Sequence, residues 1–252
     1  MSELTRKIMC ETTFDDVLFG SVKMIQPLNG PRVNMDTVLL SAWVKIRSGM
    51  REILEAGCAT GAISLILAQK YNHVHVTGVE IQPELARIAA LNAENNNLCE
   101  RVRFIAGDIR DKKILPSGKF DAVVMNPPYS SLTAGRESPD DSRTSARLEV
   151  SCTPDDVAEF SRRVLKSRGR LFTIFASLRL DSFLSAMRNH RMIPKRLRPV
   201  YPKMNYNSGV FLSECVKDGG EGMNILPPLF VRDENNNYTP EILRAYEIDG
   251  HL

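Results

Sequence analysis

Apolar positions follow two rhythms along this chain, and from residue 52 onward the two alternate. Short runs rich in β-branched residues give way to runs with apolar positions three and four apart, the pattern of a parallel sheet wound with helices. Ile53-Leu54-Glu55 reads as a first strand, followed by a mostly apolar helix from Ala62 to Gln69. Val74 to Glu80 reads as a second strand. Pro83 then suits the first turn of a helix carrying Leu85, Ile88 and Ala89 on one face and ending at Asn95-Asn96-Asn97. Val102 to Ala106 and Phe120 to Met125 supply strands three and four, which stop at Gly107-Asp108 and at Asn126-Pro127-Pro128-Tyr129.

Residues 130–150 are polar and read as a mobile loop whose second half turns helical. Thr153-Pro154-Asp155-Asp156 opens a helix with an N-cap, a proline and first-turn acids; Val157, Phe160, Val164 and Leu165 form its apolar face and Gly169 its stop. Arg170 to Ala176 reads as strand five, Asp181 to Asn189 as a helix, and Lys195 to Tyr201 and Gly209 to Lys217 as the last two strands. Ahead of the first strand, Leu18 to Val33 predicts a small hairpin turning at Asn29-Gly30, and Asp36 to Ile46 a helix capped by Asp36. The expectation is an α/β fold, doubly wound around a seven-stranded, mostly parallel sheet, with a small N-terminal extension.

A chain of 252 residues leaves room for one such domain and small additions, and with 43% hydrophobic and 25% charged residues it is not a disordered one. No run approaches the roughly 20 apolar residues of a membrane span, and Met1 to Lys7 lacks a signal-peptide core, so no membrane contact and a cytoplasmic location are expected. Cys10, Cys58, Cys99, Cys152 and Cys215 form no CxxC pair, which argues against a disulfide framework or a zinc site. His73 and His75 share one sheet face and read as a solvated edge rather than metal ligands. Charge is uneven: between Arg162 and Lys203 there are twelve basic residues against one acid, Asp181. Such a segment, residues 162–203, favours a polyanionic partner.

A strand, a glycine-rich turn and a helix in immediate succession place backbone N–H groups at a helix N-terminus, where a ligand's anionic group is held. Dinucleotides and S-adenosylmethionine both use this corner, in different phase. Glu55-x-Gly57-x-Ala59-x-Gly61 fits the S-adenosylmethionine phase, with Ala59 in place of the middle glycine; the dinucleotide phase would need glycines at Ala59 and Ala62. Glu80, nineteen residues after Gly61 at the end of strand two, is placed to accept bonds from both ribose hydroxyls. Asp108, at the end of strand three, is placed for an adenine amine, and Ile81 and Ile109, which follow these two acids, join the cofactor set.

Asn126-Pro127-Pro128-Tyr129 carries the most specific chemistry. The two prolines hold the chain extended and remove two N–H donors, leaving the Asn126 side-chain oxygen and the Pro127 carbonyl as acceptors for one NH₂ group. An amine conjugated to a ring is a poor nucleophile. Two acceptors on its hydrogens return electron density to nitrogen, while Tyr129 offers a face on which a flat group stacks. Methyl transfer in line with an S–CH₃ bond is the reaction that these groups permit, with Asn126 also lining the cofactor site.

With Glu55 to Gly61, Glu80, Asp108 and Asn126 to Tyr129 in this order, the chain resembles the amino-methylating class I S-adenosylmethionine-dependent methyltransferases. Within them it looks like the valine-tRNA adenine-N6 methyltransferase-like family, to which Gln26 to Leu40, Thr144 to Glu149, Leu226 to Leu229 and Tyr238 to Glu241 are also similar. The resemblance implies a Rossmann-like domain over residues 49–252, a hairpin and helix in residues 1–48 capping the cofactor site, and Asp36 and Thr37 against the methionine end of the cofactor. It implies methylation of an adenine N6 in tRNA or another structured RNA. The same tetrapeptide also serves protein-glutamine methyltransferases, which usually carry a longer helical domain ahead of strand one, and DNA methyltransferases, which need a target-recognition insertion. A non-catalytic nucleoside- or RNA-binding module is the reading from another class, opposed by the intact Asn126 and Tyr129.

Overall fold

Runs such as Ile53-Leu54-Glu55-Ala56 and Ala122-Val123-Val124-Met125 are buried on both faces, which fits only the middle of a parallel sheet covered on both sides. In the computed structural model, which describes residues 12–127 and 152–252, they lie there. The elements begin with β1 (Thr12–Val17), β2 (Val22–Pro27), α1 (Met35–Trp43), β3 (Glu52–Ala56), α2 (Ala62–Lys70), β4 (His75–Glu80), α3 (Pro83–Asn95), β5 (Val102–Ala106) and β6 (Phe120–Met125). They continue with α4 (Pro154–Val164), β7 (Leu165–Ala176), α5 (Leu180–Asn189), β8 (Met192–Tyr201), β9 (Val210–Lys217), β10 (Asn224–Ile225), β11 (Leu229–Phe230) and α6 (Pro240–Ala245).

The sheet runs β10-β8-β9-β7-β6-β3-β4-β5, with β11 also on β8, and β9 is antiparallel to both its neighbours. The seven expected strands are present; two two-residue strands from the C-terminal segment extend the edge at β8. Successive strand residues face opposite ways. Ile53, Val124, Phe172 and Ile174 pack with α1, α2 and the hairpin, whereas Leu54, Val123, Leu171 and Phe175 pack with α4 and α5. Residues 12–48 therefore share their core with one face of the sheet, and Trp43 Nε1 donates to the Ser213 carbonyl of β9 at 3.1 Å.

Chain order turns back at β3, which pairs with β4 on one side and β6 on the other. Ligands of open α/β sheets bind beyond the carboxyl ends of strands at such a switch point. Ala56 and Met125 are register partners, so Gly57 and Asn126 leave the sheet side by side.

Four local expectations are corrected. The hairpin turns at Leu18 to Ser21, not at Asn29-Gly30: Ser21 N donates to Leu18 O at 3.1 Å, and Phe19 and Gly20 have φ of 53° and 85°, the two positive values of a type I′ turn. Burial of Leu18, Val22 and Met24 sets this register at a strain of about 1–2 kcal/mol per L-residue held left-handed. The cap of α1 is Asn34, whose side chain accepts from Thr37 N while Asp36 sits in the first turn, and the helix ends at Trp43 rather than Ile46. α4 stops at Val164 and β7 starts at once, with Leu165 opposite Phe120; residues 166–169, including Arg168 at φ 63°, bulge before register resumes at Arg170 opposite Ala122. β8 likewise begins early, at Met192.

Candidate active site at the carboxyl edge

Between β3 and α2 the backbone turns through positive φ at Gly57 (70°), Ala59 (46°) and Gly61 (84°), and the N–H groups of Gly57 and Cys58 both donate to Val79 O, at 2.8 and 3.0 Å. A Cβ at Gly61 would stand 2.5 Å from the Phe104 ring, so only glycine fits there; at Gly57 it would meet nothing within 4 Å. The corner thus lies open on the side where a ligand approaches. Ala59 is the strained member. Ala59→Gly is expected to stabilise the fold by about 0.5–1 kcal/mol, left-handed strain relieved minus the entropy of glycine, raising Tm by about 1–4 °C. A thermal melt that moves down would show that the Ala59 methyl packs usefully.

Beneath the corner lies Glu55, 3% exposed, accepting from Ser64 N at 2.7 Å and Ser64 Oγ at 2.5 Å. It supplies the first turn of α2 with the side-chain cap that Gly61 cannot give. Burial pushes its carboxyl up from 4.5 to about 8, the Ser64 bonds opposing and Glu80 adding to the rise. The folded state then keeps a proton that the unfolded state has released, so this group lowers stability as pH rises from 4.5 to about 8 and adds no further slope above. In Glu55→Gln, which keeps an acceptor for Ser64, the fall of Tm across that window should flatten; an unchanged pH profile counts against a protonated Glu55.

Glu80, 5% exposed at the end of β4, accepts from Ala59 N at 2.9 Å through Oε2 and from Gln82 N at 3.0 Å through Oε1. It therefore joins the glycine corner to the start of α3. Ile81 follows it, 43% exposed at the rim. Gly107 N donates to Glu80 O at 2.8 Å, which brings the end of β5 alongside. There Asp108 accepts from Arg110 N at 2.9 Å and from the Arg110 guanidinium, which holds its carboxyl below the usual range. Ile109 is half-buried, and its carbonyl accepts from Arg163.

Asn126 is half-buried and Pro127 buried directly after β6, whose last carbonyl, of Met125, accepts from Thr173 Oγ1 at 2.8 Å. Tyr129, the 130–150 loop and the Thr144 to Glu149 motif lie outside the described residues. In the first turn of α1 the Thr37 hydroxyl donates to Asn34 Oδ1 at 3.1 Å, with Asp36 half-buried beside it.

Asn92 is a residue bracing the corner that sequence reading passed over. Fully buried, it accepts from Ile25 N at 2.6 Å and donates to Ile25 O and Thr60 O, both at 3.0 Å. Asn96 repeats the strand-like pairing at Lys23. The amides of α3 thus fasten the N-terminal hairpin to the corner itself. A polar side chain at a buried helical position was the available signal.

The basic segment is less free than its linear count implied. Arg162 and Arg191 pair with Asp218, Lys166 with Asp121, Arg170 and Arg196 with Glu214, and Arg198 with Glu241. Arg163, Arg168, Lys195 and Lys203 donate to backbone carbonyls. All four acids lie outside residues 162–203. Among the described residues no group of His, Cys, Asp and Glu is arranged to hold a metal, and no helix is long and apolar enough to cross a membrane.

Residues 46–217 match the profile of a family described as a methyltransferase domain. A tRNA1(Val) (adenine(37)-N6)-methyltransferase of Porphyromonas gingivalis strain ATCC 33277 is 31% identical over 227 residues, covering 86% of this chain and 87% of its own. The enzyme of that name from Aliivibrio salmonicida is 32% identical over 163 residues, covering 65% and 68%. Among solved structures, a predicted O-methyltransferase from Agrobacterium tumefaciens superposes with a TM-score of 0.70 at 19% identity, over 86% of this chain and 98% of that one, a likeness of fold. Corner, strand order and sequence relatives agree, and the chain belongs to the methyltransferase-domain family as a class I S-adenosylmethionine-dependent enzyme.

Proposed function

We propose that this enzyme methylates the N6 amine of an adenine in tRNA, as the names of its relatives suggest, and that the registered pair of exits at Ala56 and Met125 carries the reading. That register sets Asn126-Pro127 beside the glycine corner, so an amine acceptor and a cofactor site adjoin. The open space over Gly57 and the acids Glu80 and Asp108 fit S-adenosylmethionine, with Ile81 and Ile109 against its adenine, Asp36 and Thr37 toward its methionine end and Glu55 supporting from below. The cofactor supplies an electrophilic methyl on a sulfonium. Asn126 and Pro127 accept the two amine hydrogens and turn the nitrogen lone pair toward that methyl; Tyr129 stacks on the base. The methylated nitrogen is cationic and gives its proton to water, so no strong base is needed.

Within residues 162–203, Arg179 and Lys203 follow β7 and β8 and so lie at the carboxyl edge. They are the members of the segment that we assign to RNA phosphates; the carboxylate-paired arginines chiefly brace the sheet. Cytoplasmic action on tRNA follows from the same reading. Transfer of a labelled methyl group from S-adenosylmethionine to total RNA, total protein and genomic DNA tests it. Label in RNA, recovered as N6-methyladenosine, is expected; label in protein glutamine instead would replace it.

A further inference from the structure

At the tip of the N-terminal hairpin, Leu18 and Phe19 are both held at left-handed φ, 51° and 53°, where bulky side chains are rarely found. Leu18 has a packing reason, being 3% exposed within the core. Phe19 does not. It is 75% exposed at a turn position that suits asparagine or glycine. Its ring lies 6.0 Å from that of Tyr246, which lies 6.3 Å from Tyr238, and the Arg232 guanidinium closes the row 4.6 Å over Tyr238. Tyr246 Oη meets Met35 Sδ at 3.9 Å, next to Asp36, and Arg232 N donates to Pro202 O in the loop after β8. The Arg232 end of the row thus lies at the carboxyl edge, and Phe19 is its far end.

We propose that this row is a stacking platform for unpaired nucleotides of the RNA substrate, with Phe19 as its outermost face and Arg232 as its charge toward the phosphates. The proposal rests on the RNA reading above. An adenine amine inside a duplex is paired and stacked, so the reaction requires a base that is single-stranded or turned out, and its neighbours lose stacking partners. Aromatic faces restore that stacking whatever the base, and a guanidinium answers the backbone charge. A strained, exposed aromatic is what remains when a side chain is held for a ligand rather than for the fold.

Phe19→Asn separates the two roles, because asparagine tolerates the turn and cannot stack. With an unmodified tRNA transcript as probe, Tm should rise by about 2 °C while the RNA Kd and KM rise about tenfold, the loss falling in KM rather than kcat. The slope of log Kd against log salt should stay unchanged, since no charge is removed. Phe19→Trp should bind like the parent, and Arg232→Gln should flatten the salt slope by about 0.7–0.9. Parental RNA affinity in Phe19→Asn overturns the platform, as does lost affinity accompanied by a lowered Tm, which would assign Phe19 to the fold. If the parent methylates no RNA, the RNA reading itself has failed and the platform falls with it; if the parent methylates RNA and Phe19→Asn is indifferent, only the platform falls.

Discussion

Asn126→Ala is expected to lower kcat by about 100- to 1000-fold, the range for removing one group that binds the transition state more tightly than the ground state. The amine hydrogens become more acidic as nitrogen gives up its lone pair, so the bond we propose to Asn126 strengthens while methyl transfer proceeds. Cofactor affinity should change only a few-fold by the same logic. The fold should tolerate the change. Met125 is held between Ala56 and Thr173 in the sheet, with the Thr173 hydroxyl on its carbonyl, and Pro127 follows. Single-turnover assays at saturating S-adenosylmethionine, together with calorimetry of cofactor binding, separate the two effects. Parental turnover in this variant would remove Asn126 from the chemistry.

What was legible in the sequence was whatever local chemistry decides. β3 and β6 were found because apolar, β-branched runs bury on both faces, and the corner because Gly57 and Gly61 need positive φ and Gly61 a bare Cα. α4 announced its start through its N-cap, Pro154 and first-turn acids, which the structure forms into a capping box of Thr153 and Asp156. Its end was not legible. Leu165 continues the helical pattern but is taken as the opposite number of Phe120 in the sheet, a contact that no local signal contains. The hairpin failed similarly: Asn29-Gly30 has the better turn chemistry, yet burying Leu18, Val22 and Met24 against the sheet outweighed it. The charge count misled for a related reason. Glu214, Asp218 and Glu241 come after the basic segment in the chain and Asp121 before it, so pairing appears only once the sheet is assembled. Asn92 combines these cases, because its three partners come from β2 and from the corner, 67 and 32 residues away.

Glu80→Ala should raise the S-adenosylmethionine Kd about 100-fold or more. The carboxylate has two duties in the proposed function: its oxygens accept from Ala59 N and Gln82 N, which fixes the corner and the entry to α3, and the same oxygens are the ones we assign to the ribose hydroxyls. Bonds to a charged group contribute about 1.5–3 kcal/mol each, so losing the ribose contacts and loosening the corner together cost about 3 kcal/mol, or roughly 100-fold in Kd. Asp108→Ala should cost less, because Asp108 is partly exposed and shares its carboxylate with Arg110. Glu80→Gln should fall between, since one amide oxygen can still accept from the corner but the second acceptor becomes a donor. Calorimetry on the three variants gives the order, and turnover at saturating cofactor should remain close to parental in Asp108→Ala. If Glu80→Ala binds S-adenosylmethionine with parental affinity, the ligand does not sit across β3 and β4, and the assignment of the corner is wrong.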